Sequence, residues 1–292
     1  MSAIRPVRPI RPVRKAVFPV AGLGTRLLPA TKTMPKEMLT VVDRPLIQYA
    51  VDEARDAGIE QLIFVTGRGK SSLVDYFDLG FELEATMEKA GKSRAALDSS
   101  RTTPGELISV RQQQPLGLGH AVWCARHIVG DEPFAVILPD DLMVGGALRQ
   151  MVEAYNQVGG NIVCAEEVAP EKTASYGIVT PGETRGNLTE VKGLVEKPAP
   201  EVAPSRLAII GRYILQPEVM DILDAKETGA GGEIQLTDAM AKLIGKQPFH
   251  ALKVDAVRHD CGDKAGFVLA NLAIAMDRED LAPRIREYMA GR

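Results

Sequence analysis

Cysteine is scarce. Cys124, Cys164 and Cys261 are the three in a chain of 292 residues, and they stand far apart. That spacing excludes the disulfide framework of a small secreted scaffold. There are four histidines and no close Cys/His cluster, so a structural zinc site is not expected. No apolar run approaches the roughly 18 residues that a membrane span needs. The opening MSAIRPVRPIRPVRK is basic but broken by Pro6, Pro9 and Pro12, so a secretion signal is not expected either. These absences point to a reducing, cytoplasmic setting with no membrane partner. Excess charge of one sign is also lacking. Thirty-five Lys and Arg stand against 38 Asp and Glu, a formal net charge of −3, which argues against a dedicated nucleic-acid surface.

What is there is an ordinary globular composition, 45% hydrophobic and 25% charged, in a chain long enough for a large core. Residues 1–14 read as a flexible basic tail rich in Pro and Arg. A folded region is expected over 15–275, followed by a C-terminal helical segment over 276–292.

Apolar patterning alternates between two kinds of segment. Residues 15–21 form a buried strand, and PLIQYAVDEARDAG places Ile47, Ala50, Val51 and Ala54 at helical spacing between Pro45 and Gly58. IEQLIFVTG is a strand, residues 70–98 are mostly helical, and ELISVRQ is a strand ending near Gln112. LGHAVWCARHIV, FAVILPDD, GALRQMVEAYNQVG and NIVCAEEV continue as helix, strand, helix, strand. This order predicts a doubly wound α/β core with parallel strands and crossover helices. Past residue 170 the texture changes. YGIVT, LTEVKGLVEKP and LAIIGRYIL, separated by Gly- and Pro-containing turns, predict an antiparallel addition to the sheet. EIQLTDAMAKLIG reads as helix and FHALKVDAVRHDCG as strand then turn. The last stretch, from Lys264 to Met289, reads as two helices parted near 280–283.

The stretch VFPVAGLGTRLLPATKTMPKEM, residues 17–38, leaves the first strand through glycines and cations. A dinucleotide fingerprint needs a third glycine at position 27, which is Leu27. A Walker A loop ending in Gly69, Lys70 and Ser71 needs glycine at position 64, which is Phe64, and Lys70 reads as a solvated lysine. A different phosphate-gripping loop fits. Gly22 and Gly24 let backbone N–H groups approach phosphate, Thr25 adds a hydroxyl, Arg26 a planar donor fork, and Lys36 a cation for developing charge. A tight turn followed by surface cations is the plainer reading of the same letters.

FAVILPDD ends a buried run in Asp140 and Asp141. Carboxylates at strand ends line the ligand crevice of open α/β sheets and suit Mg²⁺ held jointly with substrate phosphates. The alternative for Asp140 is an ordinary turn acid. Asp141 is expected to cap or solvate that turn, Asp263 to start a helix, and His259 to be packed or hydrogen-bonded.

AGLGTRLLPATKTMPKEM resembles the signature of bacterial UTP–glucose-1-phosphate uridylyltransferases, within the sugar-nucleotide nucleotidyltransferases. LIQYAVDEA, RQQQPLGLGHAV, VILPDD, VEKP, LAIIGRY, GAGGEIQLTDA and HDCGDK are similar to that family in the same order, over about residues 15–275. The resemblance implies a Rossmann-like, mixed but mainly parallel sheet with an inserted antiparallel portion, the sugar-binding part lying at about 170–260. It implies transfer of uridylyl from UTP to glucose 1-phosphate, giving UDP-glucose and pyrophosphate, with Mg²⁺ on Asp140 and Asp260. Ala21, Gly22, Gly24, Thr25, Arg26, Gln112, Gly117 and Asp140 would bind the nucleotide. Gly177, Glu196 and Lys197 would bind the sugar phosphate, and Arg26, Lys36 and Lys197 would act in catalysis. A homo-oligomer, dimer or tetramer, is implied as well. A dTTP-using or other-sugar enzyme, and a noncatalytic nucleotide-sugar sensor, are the rival readings.

Overall fold

The computed structural model describes residues 9–291. Met1–Arg8, more than half of the expected tail, lie outside them. Of the rest of that tail, residues 9–12 and Arg14 are exposed. Val13 is buried, and Arg11 Nη1 donates to the carbonyl of Asp131 (2.8 Å). The folded part of the chain therefore reaches back to Val13.

β1 (Lys15–Pro19) is followed by the short ladder of β2 (Thr40–Val41) with β3 (Arg44–Pro45), then a helix over Leu46–Asp56 and β4 (Gln61–Thr66). Short helices fill much of 72–98 before β5 (Leu107–Arg111). β6 (Phe134–Ile137) is the buried strand of FAVILPDD, and a three-residue turn carrying Asp140 parts it from β7 (Asp141–Val144). A helix over Ala147–Val158 leads to β8 (Asn161–Glu167), then β9 (Gly177–Arg185), β10 (Leu188–Glu196) and β11 (Leu207–Leu215). β12 (Phe249–Leu252) and β13 (Val257–Asp260) precede helices over Lys264–Met276 and Ala282–Ala290.

Across the described residues the main sheet runs β5-β4-β1-β6-β11-β8-β12-β10-β9. β5, β4, β1 and β6 are mutually parallel, and β11 enters antiparallel between β6 and β8. β9 and β10 form the expected antiparallel addition. Alternation along β1 explains why the sheet is buried on both faces. Val17 joins a cluster with Val65, Val136 and Leu236, while Ala16 and Phe18 join Ile47, Phe64 and Leu148 on the other face. Phe18, Phe64 and Phe77 stack edge to face at 5.2 and 5.6 Å.

Two local expectations shift for a physical reason. The helix expected over 233–245 is confined to Leu236–Ala241, because Ile234 is extended: its N–H donates to Leu116 O and its carbonyl accepts from Gly119 N, both at 2.8 Å. The turn expected after Leu252 contains β13, which pairs antiparallel with β7, Asp260 opposite Asp141.

Candidate active site

The carboxyl ends of β1, β4, β5 and β6 open on one edge of the sheet, where an open α/β sheet holds its ligands. The glycine loop leaves β1 there. Gly24 has φ +66°, and a Cβ on it would lie 3.2 Å from both Lys36 Cβ and Thr31 Cγ2. Its freedom is thus spent on seating Lys36. Gly22 is different, since a Cβ there would meet open space, leaving room for something outside the chain. Ala21 is half-buried, and Thr25 and Arg26 are exposed along the same loop.

Lys36 Nζ donates to Asp140 Oδ2 at 2.5 Å, and Arg26 Nη2 lies 3.9 Å from the same oxygen. Burial by itself lowers the Lys36 pKa, but the carboxylates of Asp140 and Glu37 outweigh it and hold the ammonium above its ordinary value. Burial likewise raises Asp140, and the charge and hydrogen bond of Lys36, aided by Arg26, bring it below the usual carboxylate range. Lys36 and Asp140 are therefore a charged pair. Beneath them Lys70 Nζ donates to Glu37 Oε2 at 2.8 Å, with both side chains buried. Lys70 is thus a structural partner of the loop and not the solvated lysine expected from its helix start.

Asp260 reaches the same place from β13. The N–H of Cys261 donates to the Asp140 carbonyl at 2.7 Å, so the two acids sit on adjoining segments although they are 120 residues apart in the chain. Both line a cavity of about 300 Å³ with Arg26, Glu196 and Lys197. Asp141 is buried rather than solvated. Arg258 Nε donates to its Oδ1 at 2.6 Å, and burial with Asp140 alongside pushes its carboxyl up to about 6 against the pull of Arg258. Arg258 also donates to Tyr176 Oη (3.1 Å), and that hydroxyl donates to Asp260 Oδ2 (3.3 Å). Asp263 caps the helix Lys264–Met276 as expected, accepting from Gly266 N at 2.9 Å.

The far wall comes from the β9–β10 hairpin. Gly177 pairs with Glu196, and a Cβ on Gly177 would stand 2.9 Å from Thr237 Oγ1 and 3.4 Å from Glu196 Oε2. Lys197 takes φ +46°, rare for a residue with a side chain, and its Nζ lies 3.1 Å from Glu196 Oε1. Strained backbone of this kind gathers at sites of function.

Gln112 and Gly117 stand at the other end, beyond β5, and do not line the cavity that holds the acids. Gly117 has φ +104°, and a Cβ on it would meet Glu233 Cβ and the Ile234 carbonyl at 2.8 Å. Glycine there is demanded by the chain itself. Gln112 Nε2 donates to the Gly117 carbonyl at 3.0 Å.

Sequence reasoning missed Arg258, Tyr176 and Thr237. Arg258 carried a signal, because it sits two residues from Asp260 and shares its strand face. Tyr176 and Thr237 carried none beyond their place in matched motifs.

Residues 15–276 match the family described as nucleotidyl transferase. The chain is similar to a UTP–glucose-1-phosphate uridylyltransferase of Komagataeibacter xylinus, 55% identical over 86% of this chain and 90% of that one. It also resembles the solved structure of a UTP-bound UGPase from Acinetobacter baumannii, at 42% identity, TM-score 0.87, covering 95% of this chain and 99% of that one. A UDP-glucose pyrophosphorylase complexed with UDP-glucose matches at 42% identity and TM-score 0.82, covering 91% of this chain and all of that one.

Proposed function

This chain belongs to the nucleotidyl transferase family and, within it, to the bacterial UTP–glucose-1-phosphate uridylyltransferases, and on that premise we propose a role for each wall of its cleft. The reaction joins UTP and glucose 1-phosphate into UDP-glucose and pyrophosphate. The observation that carries this reading is the meeting of Arg26, Asp140, Glu196, Lys197 and Asp260 on one cavity, with Lys36 held against Asp140.

Ala21, Gly22 and Gln112 receive the base, and Gly117 supports Gln112 from behind. Gly24, Thr25 and Arg26 bind the triphosphate. Glu196 accepts hydrogen bonds from sugar hydroxyls, Gly177 lets the sugar approach the backbone, and Lys197 holds the sugar phosphate as a point charge. A phosphate oxygen of glucose 1-phosphate attacks the α-phosphorus. The new P–O bond forms as the bond to the bridging oxygen breaks, and pyrophosphate departs with that electron pair. A phosphate monoester has a second pKa of roughly 6, so the nucleophile is already largely dianionic at neutral pH and no protein base is needed. What the chain supplies is positioning and positive charge: Lys197 steers the attacking phosphate, while Arg26 and Lys36 offset the crowding of negative charge.

The acids fit a divalent cation. Mg²⁺ takes one or two carboxylates and completes its shell with water and substrate phosphate. Asp140 and Asp260 are two carboxylates on one cavity, and no group of three or more His, Cys, Asp or Glu suited to a metal occurs among the described residues. When bound, Mg²⁺ adds positive charge beside the phosphates.

No helix among the described residues is long and apolar enough to cross a membrane, and the three cysteines are free thiols, which suits a cytoplasmic enzyme. Assembly as a homo-oligomer would use an apolar face such as that of the helix Lys264–Met276, where Val268 and Leu269 are exposed.

Pyrophosphate release from purified protein with MgCl₂, UTP and glucose 1-phosphate tests the reaction. Release matched by UDP-glucose formation and abolished by EDTA is expected. Release only with dTTP or another sugar phosphate reassigns the substrates, and UTP binding without release turns the reading toward a nucleotide-sugar sensor. Within the active enzyme, Glu196→Gln is expected to raise the KM for glucose 1-phosphate about ten- to a hundredfold, the worth of a charged hydrogen bond. The KM for UTP should move little in the same assays.

A further inference from the structure

One amide nitrogen faces two protein acceptor positions, a backbone carbonyl and a histidine ring nitrogen. Gln112 follows β5, and its backbone N–H donates to the Thr66 carbonyl at the end of β4 (2.9 Å). Its side-chain Nε2 lies 3.0 Å from the Gly117 carbonyl and 3.1 Å from His120 Nδ1. A carbonyl only accepts, so the atom facing Gly117 is the NH₂ and the oxygen points elsewhere. The second hydrogen goes to His120 when Nδ1 is the bare nitrogen of a neutral ring.

The surroundings favour that ring. His120 is 8% exposed. Burial lowers its pKa, Lys226 and Arg126 lower it further, and a hydrogen bond with the Gln114 backbone opposes them. The imidazole is also held in place. Trp123 stacks on it at 5.6 Å and 24°. Trp123 is fixed in turn by its Nε1–H bond to Asp224 Oδ1 (3.0 Å) and by the Arg126 guanidinium 3.6 Å over its ring.

We propose that His120 is a positioning residue for choice of the nucleobase. Together with the Gly117 carbonyl it occupies both hydrogens of Gln112 Nε2, leaving Gln112 Oε1 as the one group of that amide to meet the base. An amide free to turn would offer a donor and an acceptor in either order. This one offers an acceptor. Uracil and thymine present N3–H to it, whereas cytosine presents a bare N3, lone pair against lone pair. The device thus excludes cytidine nucleotides and leaves uridine and thymidine nucleotides to be separated elsewhere. The inference rests on the assignment of Gln112 to the base.

His120→Leu removes the acceptor and keeps bulk; His120→Asn restores a polar acceptor near the position of Nδ1. The measurements are kcat and KM for UTP and CTP, with calorimetric binding of UTP alone. His120→Leu is expected to raise the UTP KM and Kd roughly five- to tenfold and to lower the UTP-over-CTP ratio of kcat/KM by at least about fivefold, with kcat nearly unchanged. His120→Asn should recover most of both. An unchanged ratio in His120→Leu, or an equal loss in His120→Asn, overturns the proposal. Gln112→Ala separates the two readings. If it weakens UTP binding while His120→Leu does not, the base assignment stands and the positioning role fails. If it changes neither UTP binding nor the ratio, the base assignment itself falls and this inference with it. Nitrogen NMR of the wild-type imidazole needs no variant: a proton on Nε2 supports the proposal, and a proton on Nδ1 overturns it.

Discussion

Replacing Lys36 with methionine is expected to lower turnover about 10²–10³-fold, the loss seen when one preorganised charge-stabilising group is removed from an active site. The reason lies in how the ammonium is held. Its Nζ is 2.5 Å from Asp140 Oδ2, it is largely withdrawn from water, and its Cβ occupies space that only a glycine at position 24 leaves open. A cation fixed in that way needs little reorganisation when negative charge builds on the α-phosphate. Methionine keeps the stem and removes the charge. Arg26 remains near Asp140 but is 68% exposed, so solvent screens it more. The loss should fall on kcat, measured by single-turnover formation of UDP-glucose, with a smaller change in the KM for UTP. A kcat within threefold of wild type would remove Lys36 from the catalytic machinery.

Arg212→Met is expected to destabilise the fold by about 3–5 kcal/mol, the usual result of stripping one partner from a buried ion pair. Arg212 is among the largest fully buried side chains, and it donates to Glu53 Oε2 through Nε (3.0 Å) and Nη2 (2.7 Å). Without it Glu53 Oε1 still accepts from the Leu148 N–H at 3.0 Å, but the carboxylate has a buried charge to accommodate. Against a typical domain stability of about 5–15 kcal/mol the loss is large, and urea unfolding with a constant slope would measure it. The double variant Arg212→Met with Glu53→Gln should regain much of the stability, because no charge is then left unpaired. Activity should not return with it. Arg212 also donates to the carbonyls of Leu138 (2.9 Å) and Asp141 (2.8 Å), clamping the turn that carries Asp140. A single variant losing less than about 1 kcal/mol, or a double variant no more stable than the single, would refute this account.

The same arginine marks how far the letters reach. A lone charge inside LAIIGRYIL, an otherwise apolar strand, signals that a buried partner must exist, but nothing in the letters points to Glu53, 159 residues earlier. Lys70 was harder to read. It stands after glycine at a helix start, where a solvated lysine is commonplace, and only its packing against Glu37 reveals a buried pair. The purpose of Gly24 and Gly117 was half legible. Both need positive φ, yet the neighbours that crowd them, Lys36 in one case and Glu233 with Ile234 in the other, come from elsewhere in the chain. Gln112 entered only through the family motif, as a residue that would bind the nucleotide, and nothing in the letters showed that its Nε2 lies 3.0 Å from the Gly117 carbonyl and 3.1 Å from His120 Nδ1.

By itself the sequence determined the alternation of strand and helix, the doubly buried β1, β4 and β6, the glycine loop with its cations, and the ordered motifs that mark the family. Each is a local pattern, since burial on a strand or helix is written at a spacing of two or about 3.6 residues. Tertiary structure alone decided that Asp260 stands beside Asp140, that Arg258 and Tyr176 join Asp141 to Asp260, and that β11 takes its place between β6 and β8. Those meetings depend on which segments become neighbours across separations from 75 residues (Ile137 to Arg212) to 120 (Asp140 to Asp260), and no short-range periodicity encodes that choice.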